Sequence, residues 1–212
     1  MITRVFLAAR RADMTTEACL NHWRGHHAQI GATLPKVRSY VQNHGVLDGG
    51  RFLLPYPGFD IMPELEWDSL EDMDAAIESP AHEQDSIDDE ANFIDTSRTG
   101  LLVGNRRELV DAQPTPDSVK LITFFRRAPG AGDLRIVGPA GPPGARHEIL
   151  LSIADRAGRP PFTAQAVDIL WFDTPRDALA WVASEEYHRA LWPLAGFAFG
   201  TERLIARPNK VV

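Results

Sequence analysis

Three histidines lie close together in this chain of 212 residues, and their type and spacing suit proton transfer. His22, His26 and His27 fall within six residues of one another. A buried or half-buried imidazole exchanges a proton near neutral pH, which is what a general acid or base must do. The sequence therefore predicts that this segment carries chemistry as well as packing.

The segment around these histidines has the signals of a helix. Thr15 and Thr16 are candidate N-caps, and Gly31 is a stop signal. At about 100° per residue, the apolar side chains form one stripe. That stripe consists of Cys19, Trp23 and Ile30. His27 flanks the stripe and His22 lies nearer its edge, so both are candidates to face a partly buried site.

The same histidines could in principle bind a metal ion. His22 and His26 are spaced i, i+4, which is a workable pair of ligands. However, no glutamate follows His22 as it does in zinc proteases, and no third ligand lies nearby in sequence. The chain also has no nucleotide, flavin or haem motif. We therefore expect neither a metal nor another cofactor.

A second set of candidates lies in the segment from Gly58 to Trp67, where residues alternate as in a strand. One predicted face carries Phe59, Ile61, Leu65 and Trp67, and the other carries Asp60, Met62, Glu64 and Glu66. Asp60 or Glu64 could orient a histidine or accept a substrate proton. The alternative is a row that is solvated or faces a barrel, and the sequence does not decide which face lines a pocket.

Tyr40 and Asn43 have polar tips that could hold a carbonyl or phenol oxygen. Because they are three apart in a predicted strand, they point to opposite faces. We do not expect both to line one pocket.

Composition excludes several classes of protein. A net charge of −7 argues against binding to nucleic acid, and the acidic run from Asp85 to Glu90 predicts a solvated helix face. The single cysteine, Cys19, excludes an intrachain disulfide and fits a reducing compartment. No apolar run approaches the length of a membrane span. We expect a cytoplasmic protein without a membrane partner.

The motifs of the first half resemble the EthD family. Members carry an Arg-Arg-x-x-Met-Thr opening, a His-Trp-x-x-x-His-Ala helix and a Tyr-Val-x-Asn strand. The chain has them at residues 10–15, 22–28 and 40–43, within a match over about residues 1–110. The resemblance implies a ferredoxin-like α+β unit that pairs sheets into a barrel with a small apolar pocket. Related barrels include polyketide cyclases, dehydratases, decarboxylases, lactone isomerases and cofactor-free monooxygenases.

An internal repeat predicts a second unit of the same kind. Val5–Ala12 aligns with Leu121–Ala128, and Glu66–Ser69 aligns with Trp171–Thr174. Between its first two strands the second half has a loop rich in Gly and Pro, at residues 129–144, instead of the helix with the histidines. The predicted site therefore lies in the first half only.

The predicted fold class is α+β. Two ferredoxin-like halves, at residues 1–110 and 118–212 with a linker at 111–117, would form a single-chain pseudo-dimeric barrel with antiparallel sheets, the second half being degenerate. A homodimer of such pseudo-dimers is left open.

The expected function is that of a cofactor-independent enzyme acting on a small apolar molecule with a carbonyl or phenol group. Proton transfer would give dehydration, cyclisation, isomerisation or decarboxylation, as in lyases and isomerases. The expected catalytic residues are His27, His22 and Asp60, and the expected substrate-binding residues are Tyr40, Glu64, Trp23 and Asn43. Two alternatives stay open. One is an EthD-type oxidoreductase, a cofactor-free oxygenase or an accessory protein in ether or aromatic degradation. The other is a non-catalytic binder of an apolar metabolite.

Overall fold

The computed structural model describes residues 1–128, 141–142, 144–153, 164–191 and 198–212. The predicted Gly/Pro loop falls mostly outside these residues, at 129–140 and 143. No helix within the described ranges is long and apolar enough to cross a membrane.

The elements follow one another in the order that the repeat predicts. The strands are β1 (Ile2–Arg10), β2 (Ser39–Gly45), β3 (Leu47–Asp48), β4 (Arg51–Phe52), β5 (Pro63–Trp67), β6 (Ile94–Val110), β7 (Val119–Arg127), β8 (His147–Ser152), β9 (Ala166–Phe172) and β10 (Ala198–Lys210). The helices are α1 (Thr16–His22), α2 (Ala28–Gly31), α3 (Leu70–Ile77), α4 (Ile87–Phe93), α5 (Pro175–Val182) and α6 (Glu185–Leu191). A π-helical turn, Trp23–His27, joins α1 to α2, and a second one, Ala81–Ser86, precedes α4.

Eight strands form a closed antiparallel barrel in the order β1-β5-β2-β10-β7-β9-β8-β6. The first half contributes β6-β1-β5-β2 and the second half contributes β10-β7-β9-β8, so both halves have the same strand order. β3 and β4 form a separate two-stranded ribbon. The predicted fold class, two ferredoxin-like halves that close an antiparallel barrel, is confirmed.

Side-chain caps begin the helices that follow β5 and β9. The hydroxyl of Ser69 accepts from the backbone N–H of Asp72, and that of Thr174 accepts from Asp177. Thr15 caps α1 in the same way, by accepting from Ala18. The cap at Thr15 lies where the sequence predicts it.

The barrel has one apolar core in its interior and further apolar clusters on its outer face, because successive side chains of a strand point to opposite faces. The interior holds one apolar cluster, which includes Val5, Leu102, Ile122, Leu150 and Leu204. On the outer face of the first-half sheet, two further apolar clusters lie between the sheet and the helices. The cluster under α1 and α4 contains Cys19, Trp23 and Phe93, and the cluster under α3 contains Tyr40, Trp67 and Met73.

The segment before Pro63 departs from the predicted strand. β5 begins only at Pro63, and Ile61 makes no more than an isolated bridge to β1. Phe59 packs inside the barrel together with Met62, although the alternating pattern assigns them to opposite faces. Gly58 has a φ of +94°, which redirects the chain and breaks the period of two.

The halves join where long strands change partners. β6 pairs with β1 up to Gly104 and with β8 from Gly104 onward. A Cβ atom on Gly104 would lie 2.2 Å from the carbonyl oxygen of Leu151 on β8. Only glycine therefore lets the two strands approach at this point.

We expect Gly104→Ala to lower the free energy of unfolding by about 1–3 kcal/mol, because the backbone must move to admit the methyl group. Gly25→Ala is the matched control, since its Cβ would meet nothing within 4 Å in a helical segment. It should be neutral or stabilising by up to about 1 kcal/mol. Urea unfolding of both variants tests this, and equal stability of the two would contradict the close approach.

Candidate functional site

The histidines converge on one carboxylate, that of Asp89 on α4. Nε2 of His22 lies 2.9 Å from Oδ1 of Asp89, and Nδ1 of His27 lies 2.9 Å from Oδ2. Nε2 of His26 is farther away, at 3.7 Å from Oδ1, and its side chain is exposed. The structure thus brings the predicted His22 and His27 together through a residue that the sequence did not single out.

Asp89 corrects the expectation of a solvated face for the acidic run. Asp89 is only 6% exposed, whereas Asp85 and Asp88 are exposed as expected. Asp89 and Phe93 are spaced i, i+4, so both lie on the side of α4 that packs against the first helical segment. The apolar Phe93 four residues after Asp89 was the signal that could have identified it.

The π-helical turn explains how two histidines five residues apart reach the same carboxylate. In a regular α-helix such residues are separated by about 140° around the axis. A π turn is closed by i→i+5 hydrogen bonds, which brings them toward the same side. The turn Trp23–His27 begins directly after His22 and ends at His27. π-Helical turns are uncommon and are frequent at functional sites.

The hydrogen bond between His27 and Asp89 sets the protonation of the imidazole. Burial lowers the pKa of His27 below 6.5, and the hydrogen bond and charge of Asp89 oppose this. Burial would raise the pKa of Asp89, yet hydrogen bonds from His22 and His27 hold it below 3.8. At neutral pH an ionised Asp89 therefore accepts a hydrogen bond from the Nδ1–H of a neutral His27. Nε2 is left with a lone pair that can accept a proton.

A groove of about 550 Å³ runs along this cluster between the first helical segment and α4. It is lined by His26, Gln29, Ile30, Thr33, Gln84, Asp85, Asp88, Asp89 and Asn92. The groove gives solvent access to the carboxylate side of the cluster.

Asp60 does not orient a histidine, which corrects that part of the prediction. Its Oδ2 accepts from the backbone N–H of Arg10 at 2.9 Å and from the hydroxyl of Tyr56 at 2.7 Å. Its Oδ1 is 3.4 Å from the hydroxyl of Thr16. Asp60 thus ties the end of β1 to the start of α1, and the chain positions it through the irregular segment before β5.

Glu64 and Asn43 lie on the barrel side of their strands, away from the histidines. Oε1 of Glu64 accepts from Asn43 at 2.7 Å and from Lys120 at 2.8 Å, and Oε2 accepts from Arg106. Burial would raise the pKa of Glu64, but Lys120 and Arg106 hold it well below its usual range. Glu64 therefore stays ionised at neutral pH and is a weak proton acceptor. It lines a cavity of about 760 Å³ at one end of the barrel.

Tyr40 and Trp23 lie on the helix side, in one buried polar network. Nε2 of Gln42 donates to the Trp23 carbonyl at 2.7 Å and to the Tyr40 hydroxyl at 3.0 Å. Burial raises the pKa of Tyr40 to about 12, so it remains a neutral phenol. The ring of His44 lies 4.6 Å from that of Trp23. Tyr40 and Asn43 are on opposite sides of β2, as their spacing predicts.

The pKa of His27 predicts a pH dependence of stability. Since it is lower in the folded state than its ordinary 6.5, the unfolded chain binds the extra proton first as the pH falls. The free energy of unfolding should therefore decrease below about pH 6.5. We expect His27→Gln to flatten this decrease, as measured by urea unfolding at pH 7.5 and 5.5. His26→Gln, at an exposed position, should leave the slope unchanged, and an unchanged slope in His27→Gln would contradict the assignment.

Comparison with known proteins places this geometry in context. Residues 11–97 match the EthD domain. No match was found among curated proteins. Among solved structures, an anthrone oxidase-like protein is 14% identical, with a TM-score of 0.71 over 99% of this chain and 93% of that one. A candidate monooxygenase from Fusobacterium nucleatum is 8% identical, with a TM-score of 0.58 over 99% and 93%.

A candidate chlorite dismutase is 10% identical, with a TM-score of 0.55 over 99% of this chain and 95% of that one. At these identities the likeness shows the fold. The EthD match covers α1, the π-helical turn with His27, α4 with Asp89 and the strands between them. The part of the chain that carries the histidine cluster therefore matches the EthD domain, as the motifs of the sequence predict.

Proposed function

We propose that this chain is an enzyme that transfers a proton on a small, apolar carbonyl or phenolic molecule. His27 is the general acid and base, and Asp89 replaces Asp60 as the residue that orients it. The observation that carries the proposal is the buried hydrogen bond of 2.9 Å between Nδ1 of His27 and Oδ2 of Asp89. A base held in one tautomer by a carboxylate is the arrangement that general-base catalysis requires.

The proton would move in two steps. Nε2 of His27 takes a proton from a carbon next to a carbonyl, and the bonding electron pair moves to the carbonyl oxygen to give an enolate. Asp89 stabilises the imidazolium that forms. His27 then returns the proton to carbon in an isomerisation, or to a departing hydroxyl group as water in a dehydration. The reaction needs no redox change.

The remaining predicted residues take different positions in this proposal. His22 holds the second oxygen of Asp89 and so fixes the carboxylate. Trp23 and Tyr40 belong to the helix side of the sheet, as His27 does, and are proposed to contact the substrate. Asn43 and Glu64 face the barrel interior, so they take no part at this site.

A second candidate function, cofactor-free oxidation, begins with the same step. It is motivated by the fold shared over nearly the whole chain with an anthrone oxidase-like protein. The carbanion or enolate would react with dioxygen, so that a CH₂ group becomes C=O, one oxygen atom enters the product and the other leaves as water. Dioxygen is the oxidant and the substrate is the reductant.

We expect His27→Gln and Asp89→Asn to lower turnover by about 10²–10⁴, the usual contribution of a general acid or base. The measurement is the rate of deuterium exchange from D₂O into the CH₂ group of anthrone, followed by NMR without oxygen. Matched controls are His26→Gln and Asp88→Asn, which change exposed neighbours on the same helices. A folded His27→Gln variant with normal exchange would end this assignment.

Oxygen consumption separates the two candidate functions. Oxidation predicts that wild-type protein with anthrone in air consumes one dioxygen per ketone formed, and that His27→Gln slows this as much as it slows exchange. An isomerase or dehydratase predicts rapid exchange with no oxygen uptake above the rate without protein. Saturable binding with neither reaction would indicate a non-catalytic binder and would contradict both candidates.

A further inference from the structure

One cation on the outer face of the first-half sheet has no use in the proton-transfer scheme. Arg4 lies on β1 between Phe6, which packs against the cluster under α1 and α4, and Ile2, which packs against the cluster under α3. Its neighbours across the ladder, Leu65 and Val103, are buried in the cluster under α3. Arg4 thus occupies the seam between two apolar clusters, beneath the helix layer.

The guanidinium of Arg4 is unpaired among the residues that the structure describes. It makes no hydrogen bond and no ion pair with any of them, and its Cζ lies 5.4 Å from the centre of the Phe6 ring. Arg106, also on a barrel strand, contacts three carboxylates. Arg10, at the end of β1, bonds to Asp60. A half-buried arginine with free donors is costly, because its five N–H groups lose water without gaining partners.

Glu90 on α4 is the acid whose charge acts on Arg4, but it forms no ion pair with it. Burial raises the pKa of Glu90 to about 7, with Arg4 opposing this shift and Asp89 adding to it. The Glu90 carboxyl is therefore partly uncharged near neutral pH. Burial lowers the pKa of Arg4, with Glu90 opposing, yet a guanidinium remains charged at this pH. The described residues therefore leave part of the positive charge of Arg4 without a compensating negative charge.

Arg4 and His27 both contact rings of the cluster under α1 and α4. The guanidinium of Arg4 lies 5.4 Å from the Phe6 ring that packs against this cluster, and the His27 ring lies 5.0 Å from that of Phe93 within it. His82, in the π-helical turn before α4, has its pKa lowered to about 4 by burial first, and also by the positive charge of Arg4 and by His27. Nδ1 of His82 is buried without a hydrogen-bond partner in the described part of the chain. Glu90 directly follows Asp89, the partner of His27. An unpaired cation, a free imidazole nitrogen and the proposed base are thus gathered in one place.

We infer that Arg4 binds the anionic oxygen of the substrate, an enolate or phenolate that forms when His27 removes a proton. This inference rests on the proposed function and narrows its substrate class to molecules that become oxyanions conjugated to a ring or carbonyl. His27 takes the proton, the electron pair moves to oxygen, and Arg4 donates N–H hydrogen bonds to that oxygen. Arg4 is half-buried, so its side chain keeps part of its exposure beneath the helices.

A coloured phenol tests the inference without knowledge of the natural substrate. The probe is 4-nitrophenol, whose anion absorbs visible light, and 4-nitroanisole is the uncharged match. We expect wild-type protein to bind nitrophenolate about ten- to a hundredfold more tightly than nitroanisole, the value of a charged hydrogen bond. The pKa of the bound phenol should fall below that of the free phenol.

Substitutions assign the effect to Arg4. Arg4→Met should abolish the preference for the anion, and Arg4→Lys should keep part of it, because a point charge remains without the planar fork. Arg107→Met, on β6 at an exposed position, is the matched control and should bind like wild type. Unchanged nitrophenolate preference in a folded Arg4→Met variant would overturn the inference, as would tighter binding of benzoate than of nitrophenolate to the wild type.

Glu90→Gln keeps the inference falsifiable if Arg4→Met does not fold. At pH 8 it removes a mostly ionised carboxylate near Arg4, so nitrophenolate should bind several-fold more tightly than to wild type. Weaker or equal binding would count against Arg4 as the anion site. His27→Gln separates the two proposals. If it exchanges deuterium normally yet binds nitrophenolate through Arg4, the proposed function fails and the anion site stands.

Discussion

Closure of the barrel is the constraint on which the rest of the structure depends. Each of the eight strands has two hydrogen-bonded neighbours, so no barrel edge is left open to another chain. Closure requires β6 and β10 to serve both halves, and Gly104 permits the backbone contact at one of the two junctions. With the ladder closed, β1, β2 and β5 hold a fixed register, and that register decides which side chains meet.

The closed sheet separates the polar residues of the first half into two groups. Glu64 and Asn43 face the interior, where Lys120 and Arg106 keep the carboxylate ionised. Tyr40, whose partner across the ladder is Leu65, the residue after Glu64, faces the helices with the network of Gln42. Because strand side chains alternate, no small local movement can bring the two groups together. Chemistry based on the histidines therefore belongs to the helix side.

On that side, helices and sheet contribute different parts of the proposed site. The π-helical turn supplies His27, and α4 supplies Asp89, which fixes its tautomer. The sheet supplies Arg4, whose guanidinium forms no ion pair with any described residue. The proposed base removes a proton and the proposed cation binds the anion that results. Both can act only if they do not pair with each other. The proposed base lies in the helix layer and the proposed anion-binding cation lies on the sheet, so the two do not pair.

The sequence by itself determined the parts of this protein that depend on local physics. Alternation, the cap at Thr15 and the repeated strand motifs indicated the fold class, because each rests on contacts near in sequence. The tertiary structure decided the partner of His27. Asp89 is 62 positions away from it, and nothing in an acidic run shows which carboxylate is buried. The π turn was hidden for a related reason. At 100° per residue His22 and His27 diverge, and the contacts made by the turn, such as the hydrogen bond from Gln42 to the Trp23 carbonyl and the packing of His27 against Phe93, come from distant parts of the chain.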